Sequence, residues 1–385
     1  AVLRRLSVMP GDFDVETATT AAAGDEVDPY DVPEALWSLV DHSLVRTARS
    51  AGSTRYELLR TIRRFAGERR SAEETDRVVE QLSARYLERF GPAIELERSE
   101  ISRLGAEVDN IRALIEADMP GSPETKQRLA ITIGRHHDMA GTFGVGIEEV
   151  RRFATQLTEP TATRVSLLTL LADLELRLNA TGAARRLLDE ARHLSQSVGL
   201  PPWDDACVER TAGGIALRVD DPEEARRIAE KAMERPLSLR GVARINNLLG
   251  IAQLGSGELE RARASFEVEA EAWTELGNDF LHATALGNVA EVSLRLGRAS
   301  EAARYQQRCL RVARQIGHET LAAFSAVVAA QIALEVHDHA AAVRLQVVAD
   351  QMLEKSHYVL YGFEEELRAA LLEECERALG DQAFS

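Results

Sequence analysis

The stretch Asn247-Leu248-Leu249-Gly250-Ile251-Ala252-Gln253-Leu254-Gly255-Ser256-Gly257-Glu258-Leu259-Glu260-Arg261-Ala262-Arg263-Ala264-Ser265-Phe266 decides the fold. Its first half has apolar residues at helical spacing with a glycine inside, and its second half resumes that spacing after Gly255-Ser256-Gly257. Glycine on both sides of a serine stops one helix and lets the chain turn into the next. A small residue at Gly250 and another at Ala262 let the two helices approach closely, while Phe266 fills the groove between them. The unit is therefore a helical hairpin, and one hairpin cannot bury its apolar face alone.

Working outward, the hairpin recurs. An alanine opens the second helix of each pair at Ala184, Ala225, Ala262, Ala302 and Ala342, at spacings of 41, 37, 40 and 40 residues. Turn residues precede them at Asn179, Asp220-Asp221-Pro222, Gly255-Ser256-Gly257, Gly297 and His337-Asp338, and small residues mark the first helices at Ala172, Gly213, Gly250, Ala290 and Ala330. Asp221 before Pro222 and Glu223-Glu224 is a good helix start, with carboxylates at the positive helix end. Leu249-Gly250, Ala262 and Phe266 resemble the tetratricopeptide pattern, although its usual Trp and Tyr are missing. The expected fold is mostly α, with an α-solenoid of tetratricopeptide-like helix pairs over about 161–385, stacked so that neighbours supply each other's core.

Residues 1–70 have another texture. Short helical pieces flank Pro10-Gly11, and Val32 to Val40 is a third helix with Leu36, Leu39 and Val40 on one face. The period then changes to two: Ser43–Thr47 and Thr54–Leu58 read as strands joined by the flexible residues Ala48 to Ser53. A helix with Leu59, Ile62, Phe65 and Ala66 on one face follows. Helices, a β-hairpin and a further helix make a winged-helix module over 1–70, with a helical connector over 71–160. All β-structure is expected near 43–59.

Three stretches carry a specific resemblance: Leu3-Arg4-Arg5-Leu6-Ser7-Val8 with Gly11 and Phe13, then Leu39-Val40-Asp41-His42-Ser43-Leu44-Val45, then Tyr56 through Ala66. With Leu104, Glu107 and Asp109-Asn110-Ile111-Arg112-Ala113-Leu114 in the connector, they resemble the segment behind the nucleotide-binding domain of STAND-class signal-transducing ATPase regulators. Leu371 to Phe384 looks like the last repeat helix of that family. Such regulators are common in actinobacteria and often carry a LuxR-type DNA-binding tail or a nucleotide-cyclase head. The resemblance implies that ATP or ADP with Mg²⁺ binds in an upstream domain outside this chain. In many relatives a His in the segment matching Tyr56-Glu57-Leu58-Leu59 touches the nucleotide; this chain has Glu57 and Leu58 there.

Composition narrows the function. No apolar run approaches the ~18 residues of a membrane span, and no signal-peptide pattern opens the chain. Cys207, Cys309 and Cys375 are scattered, forming neither a disulfide framework nor a zinc site, so the expected location is the reducing cytoplasm. The chain begins at Ala1 without an initiator Met and reads as a piece of a longer polypeptide. A phosphate-cradling Gly-rich loop ending in Lys is absent, and the three lysines, Lys126, Lys231 and Lys355, follow no such loop. No cofactor is therefore expected in this chain. His136-His137-Asp138 and His337-Asp338-His339 are the histidine clusters; adjacent helical residues point about 100° apart, so they read as surface or packing positions and not as a metal site. Pairs such as Glu148-Glu149 and Glu364-Glu365-Glu366 read as solvated helix faces. No enzyme is expected.

The net charge of −16 disfavours a chain that grips nucleic acid along its length, yet Arg46 to Arg70 holds eight arginines against Glu57 and Glu68. Five of them, Arg60, Arg63, Arg64, Arg69 and Arg70, follow the hairpin, whereas a recognition helix precedes it, and Val32 to His42 is acidic. Arg60, Arg63 and Arg64 are therefore expected to dock on an acidic surface, such as the nucleotide-binding domain of the parent or the chain's own repeats. By repeat register, Thr169, Asp173, Arg210, Arg244, Asn247, Thr284, Glu291 and Gln331 are expected to line the groove of the repeats, where a protein or small-molecule inducer would bind. The expected role is the regulatory and interaction portion of a transcriptional regulator, with DNA contacted through another domain; the rival expectation is direct DNA binding by the winged helix.

Overall fold

The computed structural model describes residues 1–50, 53–91, 98–116, 119–140, 142–316, 319–355 and 363–380. They divide into two compact units, Ala1–Gly199 and Leu200–Ser385. The chain is mostly helical, with one two-stranded sheet among the described residues.

The first unit opens with α1 (Val2–Leu6) and α2 (Val15–Ala22), the latter capped by Asp14, whose carboxylate accepts from the Thr17 amide at 2.7 Å. A 3-10 turn at Pro29–Asp31 leads into α3 (Val32–Asp41). β1 (Val45–Ser50) and β2 (Ser53–Leu58) pair antiparallel in the register Val45↔Leu58 to Ser50↔Ser53. The ladder is longer than the sequence reading expects. Residues Ala48 to Ser50 and Ser53 belong to the strands, and residues 51 and 52 lie outside the described residues. Pairing also extends beyond 43–59. Phe13 and Tyr56 exchange backbone hydrogen bonds of 2.9 and 2.8 Å, and Gly24 bridges Val27.

Next come α4 (Arg60–Gly67) and α5 (Ala72–Phe90), the second started by a complete capping box between Ser71 and Glu74. The connector continues with α6 (Arg98–Ile115), α7 (Pro123–Ala140) and α8 (Phe143–Gln156). The first repeat pair, α9 (Ala162–Arg177) and α10 (Thr181–Ser195), clusters with this unit.

The second unit holds α11 (Pro202–Arg218) with α12 (Pro222–Met233), α13 (Leu239–Gly255) with α14 (Leu259–Glu275), α15 (Asp279–Arg295) with α16 (Ala299–Ile316), and α17 (Glu319–Glu335) with α18 (His339–Lys355). A final helix, α19 (Phe363–Leu379), packs against α18 and α17. Its end includes Leu379-Gly380, but Ala383-Phe384 lies outside the described residues.

The repeat is built from one turn used five times. Asn179, Asp220, Gly257, Gly297 and His337 all have φ between 59° and 76°, each seven positions after a small residue and five before an alanine. Around each the same two hydrogen bonds form. Gly257 N–H donates to Leu254 C=O at 3.1 Å and Glu258 N–H to Gln253 C=O at 2.8 Å; the other four turns repeat the pattern. This paired closure satisfies the carbonyls that a helix end leaves open. It also fixes the angle at which the second helix leaves, so that Ala184, Ala225, Ala262, Ala302 and Ala342 are all fully buried. At Gly213 and Gly250 the approach is closest: a Cβ would stand 2.3 Å from Leu248 Cδ2 and 2.6 Å from Phe266 Cε1.

Candidate interaction surfaces

The helix that precedes the wing, α3, exposes Glu34, Trp37, Ser38 and Asp41, and Tyr30 extends the same stripe from the preceding turn. Trp37 is 62% and Tyr30 91% exposed. Carboxylates beside aromatic rings suit a protein surface and oppose a phosphate backbone. On the wing, Arg46 is exposed directly across the ladder from Glu57, which offsets its charge.

Of the three arginines expected to dock, Arg60 is exposed and Arg64 pairs with Glu68 at 3.1 Å in solvent. Arg63 corrects the expectation, because it donates to the Pro10 carbonyl and so braces the turn between α1 and α2. Arg69 lies 3.6 Å from the ring of the exposed Phe65, and Arg70 turns inward to Ser7 Oγ at 2.7 Å and Thr75 Oγ1 at 2.9 Å. The open basic surface of α4 is thus narrower than eight arginines imply.

Behind the wing sits a buried polar network. Arg55 of β2 donates to Glu107 Oε1 at 2.6 Å and to Asp12 Oδ1 at 2.8 Å, and also to the carbonyls of Asp12 and Ala106. Tyr86 of α5 and Asn110 of α6 donate to the second Glu107 oxygen at 2.8 and 3.1 Å, while Asn110 also brackets Gly11 and Asp12. Burial opposes the charge on Arg55, but Glu107 and Asp12 outweigh it and push its pKa up. Burial and then the Glu107 charge push the Tyr86 phenol well up. Glu107 and Asn110, quoted in the sequence for their resemblance, fasten the wing to the connector.

A second network ties the connector together. Glu149 is buried on α8, not on a solvated face as the sequence reading expects. It accepts from Arg112 of α6 and from His137 of α7, whose other ring nitrogen contacts Thr142 Oγ1 at 2.7 Å. Burial would raise the Glu149 pKa, yet the hydrogen bonds from His137 and Arg112 hold it at about 2. His137 is therefore a structural partner. Among the described residues no group of three or more His, Cys, Asp or Glu is placed to hold a metal ion, and no described helix is long and apolar enough to cross a membrane.

The expected groove residues occupy repeated positions on the first helices, six before, three before and one after each small residue. In the second unit, Arg210, Arg244, Asn247, Thr284, Glu291 and Gln331 are all partly exposed. Several are already engaged. Asn247 donates to Glu269 Oε2 at 3.0 Å, Arg244 lies 5.4 Å from the Trp273 ring, and Glu291 pairs with Arg295 at 2.8 Å. Thr284 donates to Phe280 C=O at 3.0 Å and Gln331 to Leu367 C=O at 3.3 Å. Thr169 and Asp173 lie in the first unit. Asp173 is partly buried; Thr169 corrects the expectation, since it is buried and donates to Val165 C=O at 2.8 Å. Glu269 and Trp273, which hold Asn247 and Arg244 from the second helix, were not found by sequence reasoning. Their signal was the i, i+4, i+7, i+11 stripe Ala262, Phe266, Glu269, Trp273.

Comparisons with known proteins agree with this architecture. A family model for the winged helix-turn-helix domain matches residues 1–71. Proteins of Mycobacterium tuberculosis and Mycobacterium bovis named as HTH-type transcriptional regulators are 35% identical over 116 residues, 29% of this chain and 13% of theirs. The match thus spans 13% of the length of these curated relatives. The crystal structure of a STAND protein with a tetratricopeptide repeat sensor, from Pyrococcus horikoshii, aligns over 98% of this chain and 65% of its own, with a TM-score of 0.51 and 16% identity. A Rap protein complexed with Competence and Sporulation Factor aligns over 80% of this chain and 89% of its own, with a TM-score of 0.55 and 13% identity. These two likenesses concern fold. Residues 1–71 are thus a winged helix-turn-helix domain, 116 residues of the chain are similar to HTH-type transcriptional regulators, and the later helices have the fold of tetratricopeptide repeats.

Proposed function

We propose that this chain is the regulatory and protein-interaction portion of a STAND-type transcriptional regulator of the cytoplasm, working without catalysis of its own. In this reading the first helices of the repeats take a protein or small-molecule inducer. The winged helix then docks through Arg60 and Arg64 on a nucleotide-binding domain outside this chain, where ATP or ADP and Mg²⁺ would be held. The inducer switches the system only if it binds one docking state better than the other. The observation that carries the reading is the outer stripe of α3. The helix placed to read a groove presents Glu34, Trp37 and Asp41, with Tyr30 beside them on the preceding turn, and the wing arginine Arg46 faces Glu57.

The matched winged helix-turn-helix model and the exposed Arg46, Arg60, Arg64 and Arg69 support a second reading, direct DNA binding. The test of the first is titration of the full chain into the nucleotide-binding domain of the parent gene, produced separately with ADP. Arg60→Ala with Arg64→Ala should weaken binding roughly tenfold, as loss of charge-assisted bonds at an interface does. Unchanged affinity would remove α4 from the interface.

A further inference from the structure

The outer face of α16 is unlike that of any other second helix. Counting from its buried alanine, Ala302, the positions two, six, nine and twelve later are Arg304, Arg308, Arg311 and Arg314, all exposed. The same positions hold Ala264, Val268, Glu271 and Thr274 on α14, and Arg344, Val348, Gln351 and Glu354 on α18. The repeat scaffold therefore does not require arginine there. The four guanidinium groups line about 15 Å of one helix face. Like charges so arranged repel, and they weaken the helix they sit on.

Most other arginines that line the second helices of this unit are paired within the fold, the exposed Arg344 of α18 being an exception. Arg226 pairs with Glu223, Arg261 with Glu258, Arg263 with Glu267 and Glu301, and Arg298 with Glu260. Among the described residues, none of the four on α16 makes an ion pair or a hydrogen bond. Two of those pairs, Arg263–Glu301 at 3.2 Å and that of Glu260 with Arg298 just before α16, bring the first turns of α14 beside the start of α16. On α14, Val268 is 42% exposed, and Val348 on α18 is 47% exposed.

We propose that the outer face of α16 is a docking surface for an acidic amphipathic helix of a protein partner. The four arginines would meet carboxylates repeating every three or four residues, and Val268 would cover apolar side chains beside them. Arginine is suited to this because its planar fork bonds both oxygens of a carboxylate. An acidic helix fits better than a nucleic acid on two grounds. A phosphate backbone has no use for exposed valines, and the net charge of −16 opposes a long polyanion more than a short segment. This surface lies on the second helices and is separate from the groove of the first helices.

The test uses the full chain and a labelled helical peptide of about 18 residues, with Glu at i, i+4, i+7 and i+11 and leucines alongside. A scrambled peptide of the same composition and a duplex DNA of about 20 base pairs serve as competitors, at about 150 mM salt. The expected result is saturable binding of the patterned peptide, roughly tenfold weaker with Arg308→Glu plus Arg311→Glu and unaffected by Arg227→Glu on α12. Should that charge reversal disturb folding, seen by circular dichroism, Arg304→Gln with Arg314→Gln must show the same direction of change. Equal binding of patterned and scrambled peptides, or no loss in either variant, would overturn the proposal. So would DNA binding more tightly than the peptide and vanishing in both variants, which would make the face a nucleic-acid surface.

Discussion

At Gly250 and Gly257 two glycines of one hairpin are required for different reasons, and substitution separates them. A Cβ at Gly250 would stand 2.6 Å from Phe266 Cε1 and 2.8 Å from Cζ, so the two helices must part or the ring must move. Gly250→Ala should cost about 1–3 kcal/mol by overpacking. At Gly257 a Cβ meets nothing within 4 Å, but φ is 76°, and alanine there should cost about 1–2 kcal/mol through backbone strain. Phe266→Leu should relieve the first substitution and leave the second unchanged; urea titrations of the three single and two double variants decide it, and equal relief of both would refute the packing account. Glu149 obeys a different rule. Its pKa in the fold is about 2, against an ordinary 4.5. The stabilisation that this lowering represents is fully present above 4.5 and drains away as pH falls toward 2. Glu149→Gln should therefore lose on the order of 2–3 kcal/mol near pH 7 and almost nothing near pH 2. A difference that does not change with pH would mean that packing, and not the carboxylate charge, holds α6, α7 and α8. Neither Glu149 nor Arg63 could be assigned from the sequence, because a charge followed by another charge on a helix gives no sign of which one faces inward.

At the level of elements, one buried arginine fastens the wing to the connector. Arg55 reaches Asp12, Ala106 and Glu107, and through Glu107 it meets Tyr86 and Asn110. Arg55→Met leaves Glu107 buried without its cation, which should cost about 3–5 kcal/mol. Adding Glu107→Gln should restore part of that, since the orphaned charge is then gone. Additive losses in the double variant, read from thermal or urea unfolding, would show that the two side chains are not coupled. The sequence made the helix pairs legible through features that recur: the positive-φ turn residues and the alanines keep a fixed offset, and repetition makes a weak signal strong. It also located the hairpin, but the strands run through Ala48 to Ser50 because backbone pairing continues where side chains give no alternation. The Phe13–Tyr56 bridge was hidden for a related reason: it joins residues far apart in sequence through backbone atoms, which every residue has. The recurring positions on the first helices were legible as a register, and what each side chain does there depends on its neighbours, as Thr169 and Gln331 show.

For the molecule as a whole, charge decides whether the winged helix reads DNA. The basic run from Arg46 to Arg70 carries +6, leaving −22 on the rest of the chain. Much of that +6 is spent inside the fold. Arg55 is buried on Asp12 and Glu107, Arg63 holds Pro10, and Arg70 bonds Ser7 and Thr75. Arg46 faces Glu57 and Arg64 pairs with Glu68. What α3 offers a major groove is Glu34 and Asp41, which would stand against phosphates and earn nothing from base edges except a contact to cytosine amino groups. Electrostatic attraction to DNA scales with the number of phosphates neutralised, and each contact makes binding more sensitive to salt. With so few open cations, the full chain should not bind a duplex of about 20 base pairs at nanomolar concentration in about 150 mM salt. Any weak binding at low salt should fall steeply as salt rises and should show no preference among duplex sequences. Fluorescence anisotropy with several duplexes measures both. Nanomolar, sequence-dependent binding that Arg46→Ala with Arg60→Ala abolishes would show that the wing and α4 grip the backbone in spite of the acids on α3. In that case DNA, and not a neighbouring domain, would be what the front of this chain recognises.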